Sequence, residues 1–398
     1  MSNIKLLYID LFCGAGGTST GVERATFLGE KCAKVIACVD HDANAIASHA
    51  ANHPNALHFT EDIRTLELSP LIEHTRTMQK KYPNAYLVLW ASIECTNFSK
   101  AKGGMQRDAN SRTLAEHLFR YIETLRPNYI QIENVEEFMS WGDIDENGHP
   151  ISKDKGKSYL HWVNNVCNYG YHFDWRILNA ADYGAYTSRK RFFGLFALHG
   201  LPIAFPKATH AKCIAKYEHS LFPTDNMLPW KHVREVLDLN DEGESIFGRK
   251  KPLVEKTLER IYAGLIKFIA SGKKAFLMNP QYTCKGSSID NPCFTLIARM
   301  DKMPPYLISI KEGLVIKVYE TDSPATIQIK EFMALYGIAD ICMRMLSIQE
   351  LKHIMGFPKD YTLIGTQADQ KKFIGNAVEV NMSKVLCEAL AEKLSNLK

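Results

Sequence analysis

Asp10-Leu-Phe-Cys-Gly-Ala-Gly-Gly-Thr-Ser-Thr-Gly21 follows an apolar run that begins at Leu6, so an extended segment, Leu6–Phe12, runs into a glycine-rich turn. Gly14, Gly16 and Gly17 let the backbone turn sharply and approach a ligand closely at the start of a helix. A dinucleotide fingerprint would need a glycine at position 19, where Ser19 stands, so a nicotinamide dehydrogenase is disfavoured. Outward from this turn, strand patterns recur at Val35–Asp40, Tyr86–Trp90, Tyr129–Glu133, Trp175–Ala180 and Phe192–Ala197. Helical periodicity fills the gaps at Asp42–Ala51, Leu71–Lys81, Thr113–Leu125 and Leu160–Asn168. This alternation predicts an α/β fold with a doubly wound, mostly parallel sheet. The rhythm is lost after residue 200. Short β-rich runs (Phe294–Ala298, Tyr306–Ile310) and a helix around Val254–Ala270 predict a smaller mixed lobe over 201–340. Helices resume from 341 and end with Asn381–Leu397.

Composition sets the class. The 398 residues are 46% hydrophobic and 23% charged, as in an ordinary globular protein, and the net charge is +4. Residues 201–330 carry 19 Lys+Arg against 14 Asp+Glu, an excess that suits phosphate contacts and also suits a solvated surface. The ten cysteines form no CxxC pair and no regular spacing. That argues against a disulfide framework and a zinc site, and for a reducing cytoplasm. No signal-peptide pattern and no bilayer-length apolar stretch is present, so the expectation is a soluble, cytoplasmic protein with no membrane partner. Asp143-Ile-Asp-Glu-Asn-Gly148 has the outline of a calcium loop, but Pro150 interrupts it and Asn147-Gly148 suits a hairpin turn better.

Four segments converge on one crevice. Cys95 follows the buried strand pattern Tyr86–Trp90 and opens a polar, glycine-containing loop, the place where an α/β sheet presents groups to ligand. The other cysteines read as small core residues. Asp40 and Asp62 end extended runs, where carboxylates can hold ribose hydroxyls and an adenine amino group. Together with the glycine turn they point to an adenosine-containing ligand. Glu133 stands at another strand end, level with Cys95, although a helix cap accounts for Glu133-Asn134 equally well. Arg189 and Arg191 alternate before a strand and can face the same way; in isolation they would be solvated basic residues.

In this order the set resembles the cytosine-5 DNA methyltransferase family over about residues 4–200 and 340–398. Asp10-Leu-Phe-Cys-Gly-Ala-Gly-Gly17 is similar to its cofactor signature and Glu94-Cys-Thr-Asn-Phe-Ser99 to its nucleophile motif. A loop 99–112 and Ser111-Arg-Thr-Leu114 come next. Glu133-Asn-Val135, Thr187-Ser-Arg-Lys-Arg191, Arg344–Glu350 with Gly356-Phe-Pro358, and Gly375-Asn-Ala-Val378 complete the resemblance. It implies a bacterial-type enzyme that uses S-adenosylmethionine and acts on duplex DNA without a metal. Such an enzyme would be a nucleoid-associated monomer, with any cognate restriction enzyme encoded separately. The resemblance implies catalytic roles for Cys95, Glu133, Arg189 and Arg191. It implies cofactor contacts by Phe12, Gly14, Gly16, Gly17, Asp40, His41, Asp62, Ile63, Leu114, Asn376 and Val378.

The chain departs from the family pattern at three places. Ile93-Glu94 replaces Pro-Pro before the cysteine, Thr187 replaces a glutamine, and Arg112-Thr-Leu114 lacks a glycine. Glu94 sets a carboxylate beside the nucleophile, which would raise its thiol pKa unless it points away or contacts the substrate. The lobe 201–340 is expected to read DNA sequence, with Trp230, Tyr282, Arg249, Lys250, Lys251, Lys273 and Lys274 as candidate contacts. Two further readings share the catalytic lobe: an RNA cytosine methyltransferase and a catalytically silent DNA-binding relative.

Overall fold

The computed structural model describes residues 3–93, 114–143, 145, 151–152, 155–212, 227–279, 286–313 and 316–396. Seven strands form the main sheet: β1 Leu6–Leu11, β2 Ala33–Asp40, β3 Leu57–Thr60, β4 Tyr86–Ser92, β5 Tyr129–Asn134, β6 Tyr171–Asn179 and β7 Lys190–Leu198. Their order is β3-β2-β1-β4-β5-β7-β6. The first five are mutually parallel, and β7 runs antiparallel to both its neighbours. The central strands read as continuous apolar runs because helices cover both faces. Leu7, Ile9 and Leu11 face one core with Leu87, Leu89, Ile130, Ile132, Phe138 and Trp162. Leu6 and Tyr8 face the other, with Val88, Trp90 and Tyr129.

Two helices show why the chain returns to where it began. Helix α1 (Gly17–Glu23) follows the glycine turn, and α10 (Val380–Ser395) lies against it. A Cβ on Gly21 would collide with Ser383 Oγ and Val380 O, so the two helices meet backbone to backbone. Met382, Leu386, Leu390 and Leu394 of α10 complete the second core. Between them, α2 (Ala43–Asn52), α3 (Ser69–Lys81), α4 (Leu118–Leu125) and α5 (Lys157–Cys167) connect the strands. Asp42 caps α2 by accepting from Asn44 N and Ala45 N at 3.1 and 3.3 Å.

A second, antiparallel sheet has the order β8-β12-β11-β9-β10, formed by Glu244–Ser245 (β8), Ala275–Met278 (β9), Ser287–Ser288 (β10), Tyr306–Glu312 (β11) and Ile338–Met345 (β12). One face buries Ile308, Ile341 and Met343 against α6 (Glu255–Gly264) and α7 (Pro324–Tyr336). The other packs Leu277 and Leu307 with Leu351, Ile354 and Ile374 of α8 (Ile348–Ile354) and α9 (Gln367–Asn376).

Four expectations are corrected. Residues 341–345, expected to begin the C-terminal helices, finish strand β12 of the second sheet, and the first helix after it starts at Ile348. Phe294–Ala298 is not a strand: only Cys293, just before it, makes an isolated bridge, with Thr187. The helix expected over Thr113–Leu125 begins at Leu118, after a turn. The helix read over Val254–Ala270 is α-helical only to Gly264 and then widens into a π turn, Leu265–Ile269. A Cβ on Gly264 would meet the Phe276 ring, so this glycine lets the helix lie directly on the sheet.

Candidate active site at the carboxyl ends of the strands

Of the three glycines in the first turn, only Gly14 faces open space. Its φ is +52° and nothing lies within 4 Å of where its Cβ would be. The Gly14 N–H donates to Asp40 Oδ2 at 2.9 Å, while Asp40 Oδ1 accepts from Asp42 N at 2.9 Å. Gly16 and Gly17 have a packing cause besides the ligand approach expected of them. A Cβ on Gly16, at φ +95°, would strike Tyr361 Oη, and one on Gly17 would sit 2.5 Å from Val378 O. These two glycines admit the C-terminal segment.

Phe12 adopts φ +56° and packs against the first core. His41 is exposed, with Nδ1 3.6 Å from Asp40 Oδ1. Asp62 is held by Arg64, whose Nε lies 2.9 Å from Oδ1 and Nη2 2.5 Å from Oδ2, and this hydrogen-bonded guanidinium lowers the carboxyl pKa to about 2. Ile63 is buried, and its carbonyl accepts from Tyr121 Oη at 2.9 Å. Leu114 is buried, Val378 is buried, and Asn376 is exposed at the end of α9.

Glu133 lies across from Ser92 in the β4–β5 register. It is buried, and Arg191 Nε approaches its Oε1 to 3.3 Å. Burial raises the Glu133 carboxyl pKa; the positive charges of Arg191 and Arg189 oppose that rise. Arg191 Nη1 also donates to Lys190 O at 2.7 Å. Arg189, buried, donates from Nη1 to Leu296 O at 3.0 Å and so reaches toward the second sheet. Asn134 was not among the expected site residues, yet its Nδ2 donates to Ile93 O at 3.2 Å, gripping the chain two residues before Cys95. Glu94, Cys95, Arg112 and the intervening loop lie outside the described residues, as does Tyr282.

The model of one family, C-5 cytosine-specific DNA methylase, matches residues 6–392. The chain belongs to that family. Among curated relatives, the type II methyltransferase M.SacI of Streptomyces achromogenes is 22% identical, over 99% of this chain and 95% of its own length. M.AgeI of Thalassovita gelatinovora is 30% identical over 59% of this chain and 51% of its own. Among solved structures, the Entamoeba histolytica methyltransferase EhMeth superposes with a TM-score of 0.55 at 19% identity, covering 99% of each chain. Dnmt2 of S. pombe does so at 0.53 and 17%, covering 98% of this chain and all of its own.

In this C-5 cytosine methylase Thr187 stands where the family pattern has a glutamine before the arginines. Thr187 is fully buried and bridges Cys293, while Ser188 N donates to Cys293 O and Cys293 N to Tyr186 O, at 2.8 and 2.7 Å. The motif that carries Arg189 and Arg191 thus ties the catalytic sheet to the second lobe. Gly375 does likewise, lying against the Ile297–Ala298 backbone. Several candidate DNA contacts have internal partners. Trp230 Nε1 donates to Asp182 at 2.9 Å, Arg249 bonds the carbonyls of Glu244, Ser245 and Met343, Lys273 pairs with Asp290 and Lys274 with Glu312. Lys250 and Lys251 are exposed.

Behind the glycine turn lies a buried polar cluster that linear reading missed. His49 Nε2 is 2.9 Å from Ser19 Oγ, which donates to Asp10 Oδ2 at 2.7 Å. His49 Nδ1 is 3.6 Å from Cys38 Sγ and 3.0 Å from His58 Nε2. Burial pushes the Cys38 thiol up, but hydrogen bonds with Cys13, His49 and His58 outweigh it and hold the pKa at about 4. No linear spacing signals the cluster, whose members meet only in the folded chain.

Proposed function

We propose that this enzyme transfers a methyl group from S-adenosylmethionine to carbon 5 of cytosine in a specific duplex DNA sequence, through a covalent adduct with Cys95. The observation that carries the reading is the β4–β5 register. It sets buried, arginine-flanked Glu133 across from Ser92, with Asn134 gripping Ile93, at the strand end that leads into Cys95.

The methyl donor fits the residues present. Gly14 leaves space on the ligand side of the turn, and Asp40, with one N–H on each carboxylate oxygen, keeps lone pairs for ribose hydroxyls. When bound, S-adenosylmethionine supplies an electrophilic methyl group. Cytosine carbon 5 is a poor nucleophile while the ring is aromatic. Addition of the Cys95 thiolate at carbon 6 breaks the aromaticity and makes carbon 5 enamine-like. Glu133, its carboxyl raised by burial, holds a proton toward ring nitrogen 3 and accepts from the amino group, offsetting the charge that develops there. Arg191 fixes Glu133 and presents its fork to the base oxygen or a phosphate. Loss of the carbon 5 proton then expels the thiolate and restores aromaticity. Inside a duplex carbon 6 is shielded, so the base must leave the stack. Residues 201–340 are the lobe that reads sequence, joined to the catalytic sheet through Arg189 and Thr187.

Transfer of labelled methyl groups from S-adenosylmethionine to duplex DNA and to tRNA, measured in parallel, tests this reading. Incorporation into DNA alone is expected, lost in Glu133→Gln by at least about 100-fold. Incorporation into tRNA alone would establish the RNA reading instead.

A further inference from the structure

We propose that Cys13, Cys38, His49 and His58 form a closed, structural site for a borderline-soft divalent cation, Zn²⁺ above all, which pins the cofactor turn to the edge of the sheet. The four side chains come from four separate elements: the turn after β1, strand β2, helix α2 and strand β3. The donor atoms of Cys13, Cys38 and His49 lie within 4.8 Å of one another, and all three residues are buried. His58 stands beside this trio rather than within it, its Nε2 3.0 Å from His49 Nδ1, and would have to close in on Cys13 and Cys38 to complete a four-ligand shell.

Two donor separations match those of a shared ion. A tetrahedral centre with zinc–sulfur bonds of about 2.3 Å and zinc–nitrogen bonds of about 2.0–2.1 Å places sulfur and nitrogen about 3.6 Å apart and two nitrogens about 3.3 Å apart. The observed separations are 3.6 Å for Cys38 Sγ to His49 Nδ1 and 3.0 Å for the two histidine nitrogens. Contraction of a few tenths is what a hydrogen bond between the rings would produce before a cation separates them.

The surroundings orient the ligands. Ser19 Oγ gives its own proton to Asp10, so at its 2.9 Å contact it accepts from His49 Nε2–H. That fixes the tautomer with the lone pair on Nδ1, toward Cys38 and His58. An acidic side chain acting on a ligating imidazole through a hydroxyl is a usual outer shell of a metal centre. Charge also balances. Two thiolates and two neutral imidazoles neutralise a divalent cation, so the four ligands and the ion together carry no net charge. Thiolate and imidazole donors select zinc-like ions over magnesium or calcium.

The cation would act on the fold rather than on the methyl-transfer chemistry. Cys13 immediately precedes Gly14, so the ion joins the ligand-facing turn to β2, α2 and β3. Linear spacing conceals the set, because no two ligands stand in a CxxC or HxxxH arrangement.

Metal content of the full chain, purified without chelator, is the test. About one zinc per chain is expected, and replacement by cobalt should give the intense visible absorption of a tetrahedral, thiolate-ligated ion. His58 is only half-buried, so His58→Ala spares the core and should drop the metal to below about a tenth of an equivalent. His58→Cys, which keeps a donor there, should restore it. A wild-type chain with no metal and no cobalt spectrum would overturn the proposal. So would a Cys13–Cys38 disulfide found by mass in the freshly purified protein, or equal metal content in His58→Ala and wild type.

Discussion

Arg191 Nε stands 3.3 Å from Glu133 Oε1, and both side chains are largely withdrawn from water. Burial raises the Glu133 carboxyl pKa, and Arg191 supplies the larger of the two arginine charges opposing it. Arg191→Met therefore raises that pKa further. With Glu133 acting in its protonated form, the loss of activity on the alkaline side should move to higher pH in the residual turnover of Arg191→Met. A limb that stays in place would remove Glu133 from the mechanism. The same shift bears on stability. A carboxyl raised in the folded state contributes stability that is fully present below its unfolded pKa of about 4.3 and is lost as pH rises through the folded pKa. Urea midpoints across that window should decline less for Glu133→Gln than for wild type.

The three glycines of the first turn should separate by experiment. Gly14→Ala meets no neighbour and bears only the strain of a left-handed residue, about 1–2 kcal/mol, so it should fold and weaken S-adenosylmethionine binding. Gly17→Ala forces a Cβ against Val378 O and should cost about 1–3 kcal/mol of stability. Thermal unfolding with a cofactor titration on each variant reads both effects. A Gly17→Ala chain as stable as wild type would contradict the packing explanation.

Asn134→Ala removes the only described side-chain hydrogen bond to Ile93 O. The buried carbonyl then loses its partner, at about 1–3 kcal/mol. Single-turnover methyl transfer should slow by about tenfold or more, while S-adenosylmethionine affinity, set on other loops, should hold. Equal losses in both would assign Asn134 to general stability.

The catalytic sheet was legible because its strands are buried on both faces and interrupted by glycine, proline or polar loops. Leu6–Phe12, Val35–Asp40 and Tyr86–Trp90 each match an observed strand to within two residues at either end. Phe294–Ala298 misled because its apolar pattern serves a junction: Leu296 O is taken by Arg189 and Gly375 lies on Ile297, so no neighbouring strand pairs with it. Gly16 and Gly17 were found for an incomplete reason, since sequence cannot reveal that Tyr361 and Val378 return to the turn. The cluster of Asp10, Ser19, Cys38, His49 and His58 was illegible for the same cause: its members meet only through tertiary structure.

Arg344 and Glu350 form a buried two-pronged ion pair at 2.8 and 2.7 Å, and Glu350 also accepts from Ser347 N and Asp238 N. Burial pushes the Glu350 carboxyl up, but Arg344 and these amides hold it below its usual range. The stability it contributes is present above the unfolded pKa and is lost as pH falls through the folded value. Glu350→Ala leaves a buried guanidinium with carbonyl partners and only the exposed Asp241 carboxylate, 3.4 Å from its Nε, and should cost about 3 kcal/mol. A fall in unfolding temperature under about 2 °C would show the pair to be dispensable.

Bisulfite sequencing of plasmid DNA from a methylation-deficient host, expressing either the wild-type chain or Cys95→Ser, tests the central claim most directly. The wild type should protect one cytosine of one recurring sequence from conversion, and Cys95→Ser should protect none. Complete conversion in both hosts, or equal protection in both, would contradict cytosine methylation through Cys95.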